Sequence, residues 1–323
     1  MKSIRLGVFE TNSSSTHSCV ICNDEDYKKW ISGEALYCEW GDLSGKMVTI
    51  DEAMKNKGVD EYKEWLKDNE EEDSKESKIS FLEESGDYYS YEKFTNNEEL
   101  ESELPYTELA IGGGNPLAHL DLVPFLEKCK KKKLICNMTV NQIHFIRNQE
   151  LIRYLVDNEL IYGLGVSLVQ ANKEFISLIQ SYPNAVIHTI NGVHTLQEYQ
   201  ALYDKNLKVL ILGYKQFRRG VTFYSPEVEA DKKVIYDNLP EIVKHFKVVS
   251  FDNLALKQLN VKRLLSKEEW EDSFMGDDGQ FTMFVDVVKK EFAVSSISTI
   301  RYPLTNNIKD MFDIIKKEKE VKI

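Results

Sequence analysis

Short, nearly continuous apolar runs recur along this chain, with helix-period stretches between them. "ISFL" (79–82), "ELAIG" (108–112), "KLICNM" (133–138), "YGLGVSL" (162–168), "AVIHTI" (185–190), "KVLILG" (208–213) and "KVVSF" (247–251) form the series. "LDLVPFLEKCKK", "NQELIRYLVDN", "NKEFISLIQSY", "TLQEYQALYDKN" and "DNLPEIVKHF" lie between them and repeat apolar positions every three or four residues. Buried strands alternating with amphipathic helices predict a parallel sheet wrapped by helices. Nothing between the strands demands a reversal of strand order. The pattern therefore predicts an α/β fold, a partial (β/α)6-type barrel over 78–262.

The flanks follow other rhythms. Residues 1–57 predict an α+β, β-rich N-terminal extension. It has a strand at 4–9, another around Cys19–Cys22, a helix over Glu25–Ile31 capped by Asp24, and a strand in "ALYCEW". Residues 58–105 form an acidic insertion leading into the first barrel strand. A helix is expected over Asp60–Lys67, and "DNEEEDSKESK" has the composition of a disordered tract. Residues 263–323 predict an accessory C-terminal β-hairpin, centred on Lys289-Lys290, and a helix. Asp277-Asp278-Gly279 reads as a turn, because the 12-residue spacing and terminal Glu of a calcium loop are missing.

Charge changes the picture in one place. The net charge is -12, and Asp60–Glu108 holds 18 acidic residues against five Lys, a balance of -13. The remainder is close to neutral, so direct binding to nucleic acid is not expected. The acidic block is a solvated insertion or a surface for a basic, nucleic-acid-binding partner protein. No apolar run approaches a membrane span. Cys19, Cys22, Cys38, Cys129 and Cys136 are odd in number and scattered, which fits reduced thiols in a cytoplasm. Cys19 and Cys22 have a metal-like spacing but fall in a strand-like run that separates them onto opposite faces, so no metal site is expected.

Candidate chemistry centres on "LAIGGGNPLAHLDLVPFL" (109–126), where a strand runs into Gly112, Gly113, Gly114 and Asn115 before a helix. Glycines at a strand's carboxyl end let a ligand approach the backbone, and their N–H groups suit an anionic partner. A tight strand-to-helix turn with Pro116 at the helix start explains the same residues. His119 follows the glycine turn and reads equally as a ligand contact at the barrel mouth and as a helix-surface histidine, and His188 alternates so as to point into the barrel, with a satisfied core histidine as the default. Lys215, Arg218 and Arg219, just past "KVLILG", are candidate anion contacts.

The order of these pieces resembles the radical SAM (S-adenosylmethionine) superfamily over roughly residues 78–251. Gly113, Gly114 and Pro116 match its Gly-Gly-Glu-Pro strand end, Thr139 with Asn141 approximates its Thr-Asn-Gly-like turn, and Ser167 ends the fourth strand. The resemblance implies a SAM or nucleotide pocket formed by Gly112, Gly113, Gly114, Asn115, Thr139, Asn141 and Ser167. It also implies three cluster cysteines after the first strand. Those positions are Glu83, Asp87 and Ser90, and Asn115 replaces the family's glutamate. Carboxylates and a hydroxyl are poor ligands for an iron–sulfur cluster. "VFETNSSSTHS" near the N-terminus resembles a signature of assorted bacteriophage proteins.

Together these readings give a cluster-less, phage-type radical-SAM-like protein without a resident cofactor. It would act by binding a partner protein, such as a host factor, or a nucleotide-like ligand, in the cytoplasm. The acidic insertion with Tyr88, Tyr89, Tyr91 and Phe94 would be its interaction surface. The alternative is an enzyme with a retained SAM or nucleotide pocket that uses carboxylate or metal chemistry. An active radical enzyme with atypical ligands is a third reading. The sequence leaves partner identity and oligomeric state open.

Overall fold

The computed structural model describes residues 17–38, 43, 46–96, 108–216, 219–274, 276–280 and 282–320. The chain divides into two compact units. Among the described residues, one covers 22–96 and the other 17–21 with 108–320. The strand at 4–9 and most of "VFETNSSSTHS" lie outside the described residues.

The first strand, β1 (His17–Cys22), joins the large sheet of the second unit. The first unit then runs α1 (Glu25–Ile31), β2 (Ala35–Cys38), β3 (Lys46–Thr49), α2 (Ile50–Lys57), α3 (Val59–Asp68), α4 (Lys75–Glu84), β4 (Tyr88–Tyr89) and α5 (Tyr91–Asn96). Asp24 caps α1 as expected, accepting from the Asp26 N–H at 3.1 Å. Thr49 and Glu52 cap α2 reciprocally. The strands pair antiparallel in the order β3-β2-β4. Leu36, Cys38, Val48, Ala53, Met54, Phe81, Leu82 and Tyr88 fill the core.

Three expectations are corrected here. "ISFL" is the middle of a helix, α4, and not a first barrel strand. Ser74 caps that helix, and Ser77 and Phe81, one turn apart, share its buried side. A four-residue run with three apolar positions does not separate a strand from a buried helix face. The parallel sheet consequently begins at Glu108, and residues 58–96 share one unit with 22–57. The "DNEEEDSKESK" tract is a helix–loop–helix, tied down by Tyr62 OH donating to Asp73 (3.1 Å) and Ser77 OH to the Glu72 carbonyl (2.7 Å). Tyr88 is not a surface aromatic but buried, whereas Tyr89 and Tyr91 are half-buried, the Tyr91 ring meeting buried Trp30 edge-on at 5.1 Å. The Phe94 side chain lies outside the described residues.

The second unit carries β5 (Glu108–Ile111), α6 (Leu122–Lys131), β6 (Ile135–Asn141), α7 (Gln142–Arg147), α8 (Gln149–Asp157), β7 (Gly163–Ser167), α9 (Lys173–Ile179), β8 (Ala185–Ile190), α10 (Leu196–Leu202) and β9 (Lys208–Leu212). It continues with α11 (Arg219–Thr222), α12 (Pro226–Ile242), β10 (Val248–Asp252), α13 (Asn253–Leu259) and α14 (Lys267–Ser273). Strands β5 to β10 pair parallel, each beside its predecessor, and β1 adjoins β10. In this seven-stranded, mostly parallel sheet the order of β5 to β10 does not reverse, and the sequence pattern held nothing that demanded a reversal.

The two faces of this sheet differ. Met138, Val140, Leu164, Val166, Ile187, Val209, Ile211, Val249 and Phe251 point into one large apolar core with the helices. Alternation sends Asn137, Thr139, Ser167, His188 and Ser250 to the other face. The small apolar cluster there, Val186, Leu210 and Leu212, consists of strand residues only.

The expected tail hairpin is present. β11 (Phe284–Asp286) pairs antiparallel with β12 (Glu291–Ala293), β13 (Tyr302–Pro303) adds to it, and α15 (Ile308–Glu320) packs Met311 and Ile315 against Phe292. No helix among the described residues is long and apolar enough to cross a membrane.

Candidate functional site: the carboxyl rim of the parallel sheet

In a parallel sheet all strands end on one edge, and loops there converge without any single long segment providing the site. At β5 the rim is glycine. Gly112, Gly113 and Gly114 are exposed, Gly113 has φ +121°, and a Cβ added at Gly113 or Gly114 would meet nothing within 4 Å. The backbone is therefore open to a ligand. Asn115 follows, with a buried Oδ1 that has no partner. His119, on the surface, accepts from the Asp121 N–H at 3.1 Å.

The next two strands bring polar residues into register. Thr139 pairs with Gly165, Asn141 with Ser167, and Ser167 with His188. Asn141 Oδ1 also caps α7 by accepting from the Ile143 N–H at 2.9 Å. Gln142, buried, accepts from the Val169 and Gln170 N–H groups and donates to the Gln170 carbonyl, which fixes the loop after β7. His194 performs the same task between β7 and β8. Its Nδ1 accepts from the Ile190 N–H (2.9 Å), so Nε2 carries the hydrogen and donates to the Leu168 carbonyl at 3.1 Å.

At β9 and β10 the rim becomes ionic. Asp252, fully buried, accepts from the Gly213 N–H (2.8 Å) and the Ala255 N–H (2.7 Å), locking the end of β9 to α13. Lys215 and Asp278 stand near it. Burial pulls the Lys215 amine down, against the pull of Asp252 and Asp278. Burial pushes the Asp278 carboxyl up, against a 2.8 Å hydrogen bond from Asn253. Beside Lys215 lies a cleft of about 410 Å³ that also takes in Tyr214, Gln216, Lys232 and Gln258.

The structure thus places Gly112, Gly113, Gly114, Asn115, Thr139, Asn141, Ser167 and Lys215 along one edge of one sheet. Arg218 and the Arg219 side chain lie outside the described residues. Glu83, Asp87 and Ser90 are not on that edge. They belong to the other unit, where Glu83 accepts from the Ser90 N–H (2.9 Å) and Asp87 pairs with Lys57 at 2.8 Å. Cys22 is half-buried, and Cys38, Cys129 and Cys136 are buried; none of the four is in a disulfide. Among the described residues no three His, Cys, Asp or Glu side chains come together as a metal-ligand set.

Sequence reasoning missed Gln142, Asn191, His194, Asp252, Asn253 and Gln258, and read Asp278 only as a turn residue. A usable signal was present for several: Asn191 and Asp252-Asn253 are polar residues directly closing an apolar strand. Compared with known proteins, the chain matches no family model, no curated protein and no solved structure.

Proposed function

We propose that this protein binds a small polar ligand of the SAM or nucleotide class at the carboxyl rim, on a partial barrel of radical SAM type that has lost its cluster ligands. The polar second face of the sheet carries this reading. Parallel sheets wrapped on both faces by helices are apolar on both. Here Asn137, His188 and Ser250 are buried on the face away from the helical core, and Asn137 Oδ1 and Ser250 Oγ have no partner. Buried polar atoms left unpaired cost ~1–3 kcal/mol each, and a polar ligand reaching down from the glycine turn would satisfy them. A buried polar face whose apolar cluster holds strand residues alone fits a sheet curling toward a barrel. The carboxylates of the enzyme alternative, Glu83 and Asp87, are engaged in local contacts of the first unit, which favours binding over catalysis.

The test is anaerobic production with iron and sulfide, followed by iron analysis and calorimetric titration with SAM. An iron-free protein that binds SAM saturably supports the reading. About four irons per chain would restore radical chemistry, and absence of binding removes the ligand.

A second reading rests on the first unit. Asp60, Glu61, Glu64, Asp68, Glu70, Glu71 and Glu72 are all exposed along α3 and the loop after it. A basic partner protein, such as a host nucleic-acid-binding factor, would suit that surface. Such a complex should weaken steeply with salt, and a salt-independent complex contradicts it.

A further inference from the structure

A second cleft, of about 300 Å³, lies beside α13 and α14 and shares no residue with the glycine turn. Its size falls at the lower end of the roughly 300–1,000 Å³ of small-ligand sites. Leu256, Trp270 and Phe274 form its apolar wall. The Trp270 and Phe274 rings are stacked, with centroids 5.0 Å apart and planes at 15°. Lys262 Nζ lies 5.4 Å from the Trp270 centroid, and a further planar ring can pack against such a stacked pair.

Asn253 supplies the polar element. It lines the cleft and is only 5% exposed. Its Nδ2 donates to Asp278 Oδ1 (2.8 Å) and to the Gly276 carbonyl (3.4 Å). Both partners are acceptors, so the orientation of the carboxamide is fixed. Asn253 Oδ1 is consequently an acceptor, buried and without a partner. A buried carboxamide oxygen in a native structure calls for a donor. At the mouth, Lys257 and Asp277 are exposed and carry one charge of each sign. The balance suits a neutral ligand with hydroxyl groups over a phosphorylated one.

We infer that this cleft binds a nucleoside whose base carries an exocyclic amino group. The base packs against the Trp270–Phe274 wall, its amino group donates to Asn253 Oδ1, and the sugar hydroxyls face Asp277. The cleft lies at the β10 end of the rim, shares no residue with the glycine turn, and stands without the ligand proposed there.

The experiment is titration of the full chain with adenosine and with purine riboside, which lacks the amino group, read by tryptophan emission and calorimetry. Adenosine should give a saturable emission change, and purine riboside should bind at least roughly tenfold more weakly. Trp270→Phe should abolish the emission change. Equal affinity for the two nucleosides overturns the inference, as does the absence of any saturable signal. A signal that survives Trp270→Phe also overturns it. The nucleoside comparison uses the unaltered chain, so the result does not depend on a variant folding.

Discussion

Asn191 and Gln258 are 67 residues apart in the chain and joined side chain to side chain, Asn191 Nδ2 donating to Gln258 Oε1 at 3.1 Å. Gln258 in turn accepts from the Tyr214 N–H and donates to the Tyr214 carbonyl, both at 2.9 Å. One carboxamide therefore holds the ends of β8 and β9 against α13. Removing it leaves two backbone groups and an amide unpaired in a part-buried site. Gln258→Leu should lower unfolding stability by about 2–4 kcal/mol, read as a shift of the urea midpoint. Gln258→Glu keeps the two acceptor contacts but turns a carboxylate oxygen toward the Tyr214 carbonyl, so its loss should fall below that of Gln258→Leu only at low pH, where the protonated carboxyl donates to that carbonyl. Equal losses at low pH would show that packing, not hydrogen bonding, is what Gln258 provides.

The same network explains what could and could not be read from the chain. Strand β8 was legible to the residue, since "AVIHTI" at 185–190 is continuous, β-branched and bounded by Asn-Gly on one side and Pro-Asn on the other. The Asp24 cap was legible because capping is local. The α4 helix was not, because "ISFL" is too short to show its period and its decisive cap, Ser74, lies five residues upstream. The glycine end of the rim announced itself by composition. The Asn191–Gln258–Tyr214 and Asn253–Asp278 contacts did not, because each joins residues from separate segments that only the folded sheet brings together.

Two glycines on one rim should respond oppositely to the same change. A Cβ at Gly213 would lie 2.5 Å from Leu254 Cγ and 2.7 Å from the Ala255 backbone nitrogen. Backbone cannot step aside, so Gly213→Ala should cost about 1–3 kcal/mol. Gly114→Ala meets open space and has no left-handed φ, and should stay within about 0.5 kcal/mol of the parent. Thermal unfolding of both variants decides it. A destabilised Gly114→Ala would mean that the turn is packed.

Burial of the Cys136 side chain, next to the Cys129 thiol, pushes the Cys136 thiol up to about 12. Only the thiolate reacts with alkylating reagents, and both residues are almost fully buried. Mass spectrometry after brief iodoacetamide treatment at neutral pH should show half-buried Cys22 modified well before Cys129 and Cys136. Denaturant should bring the two buried thiols into line. Native-state labelling of Cys136 at the rate of Cys22 would mean that α6 opens readily from β6.

His245 gives the second unit a small, signed pH dependence. Its ring stacks on Tyr203 at 4.0 Å and bonds Asp204 (2.9 Å) and Glu241 (3.1 Å). The hydrogen bond to Asp204, followed by that to Glu241, holds its pKa above the ordinary histidine value. A group whose folded pKa is raised stabilises the fold fully below its unfolded pKa of about 6.5. That contribution is lost as pH rises through the higher folded value. The side chains involved are largely solvated, so the effect should stay under about 1 kcal/mol. Urea midpoints at pH 6 and pH 8.5 should differ in favour of pH 6, and His245→Gln should remove that part of the difference. High salt should shrink it in the parent and leave the variant unchanged. A difference that persists in His245→Gln belongs to another group.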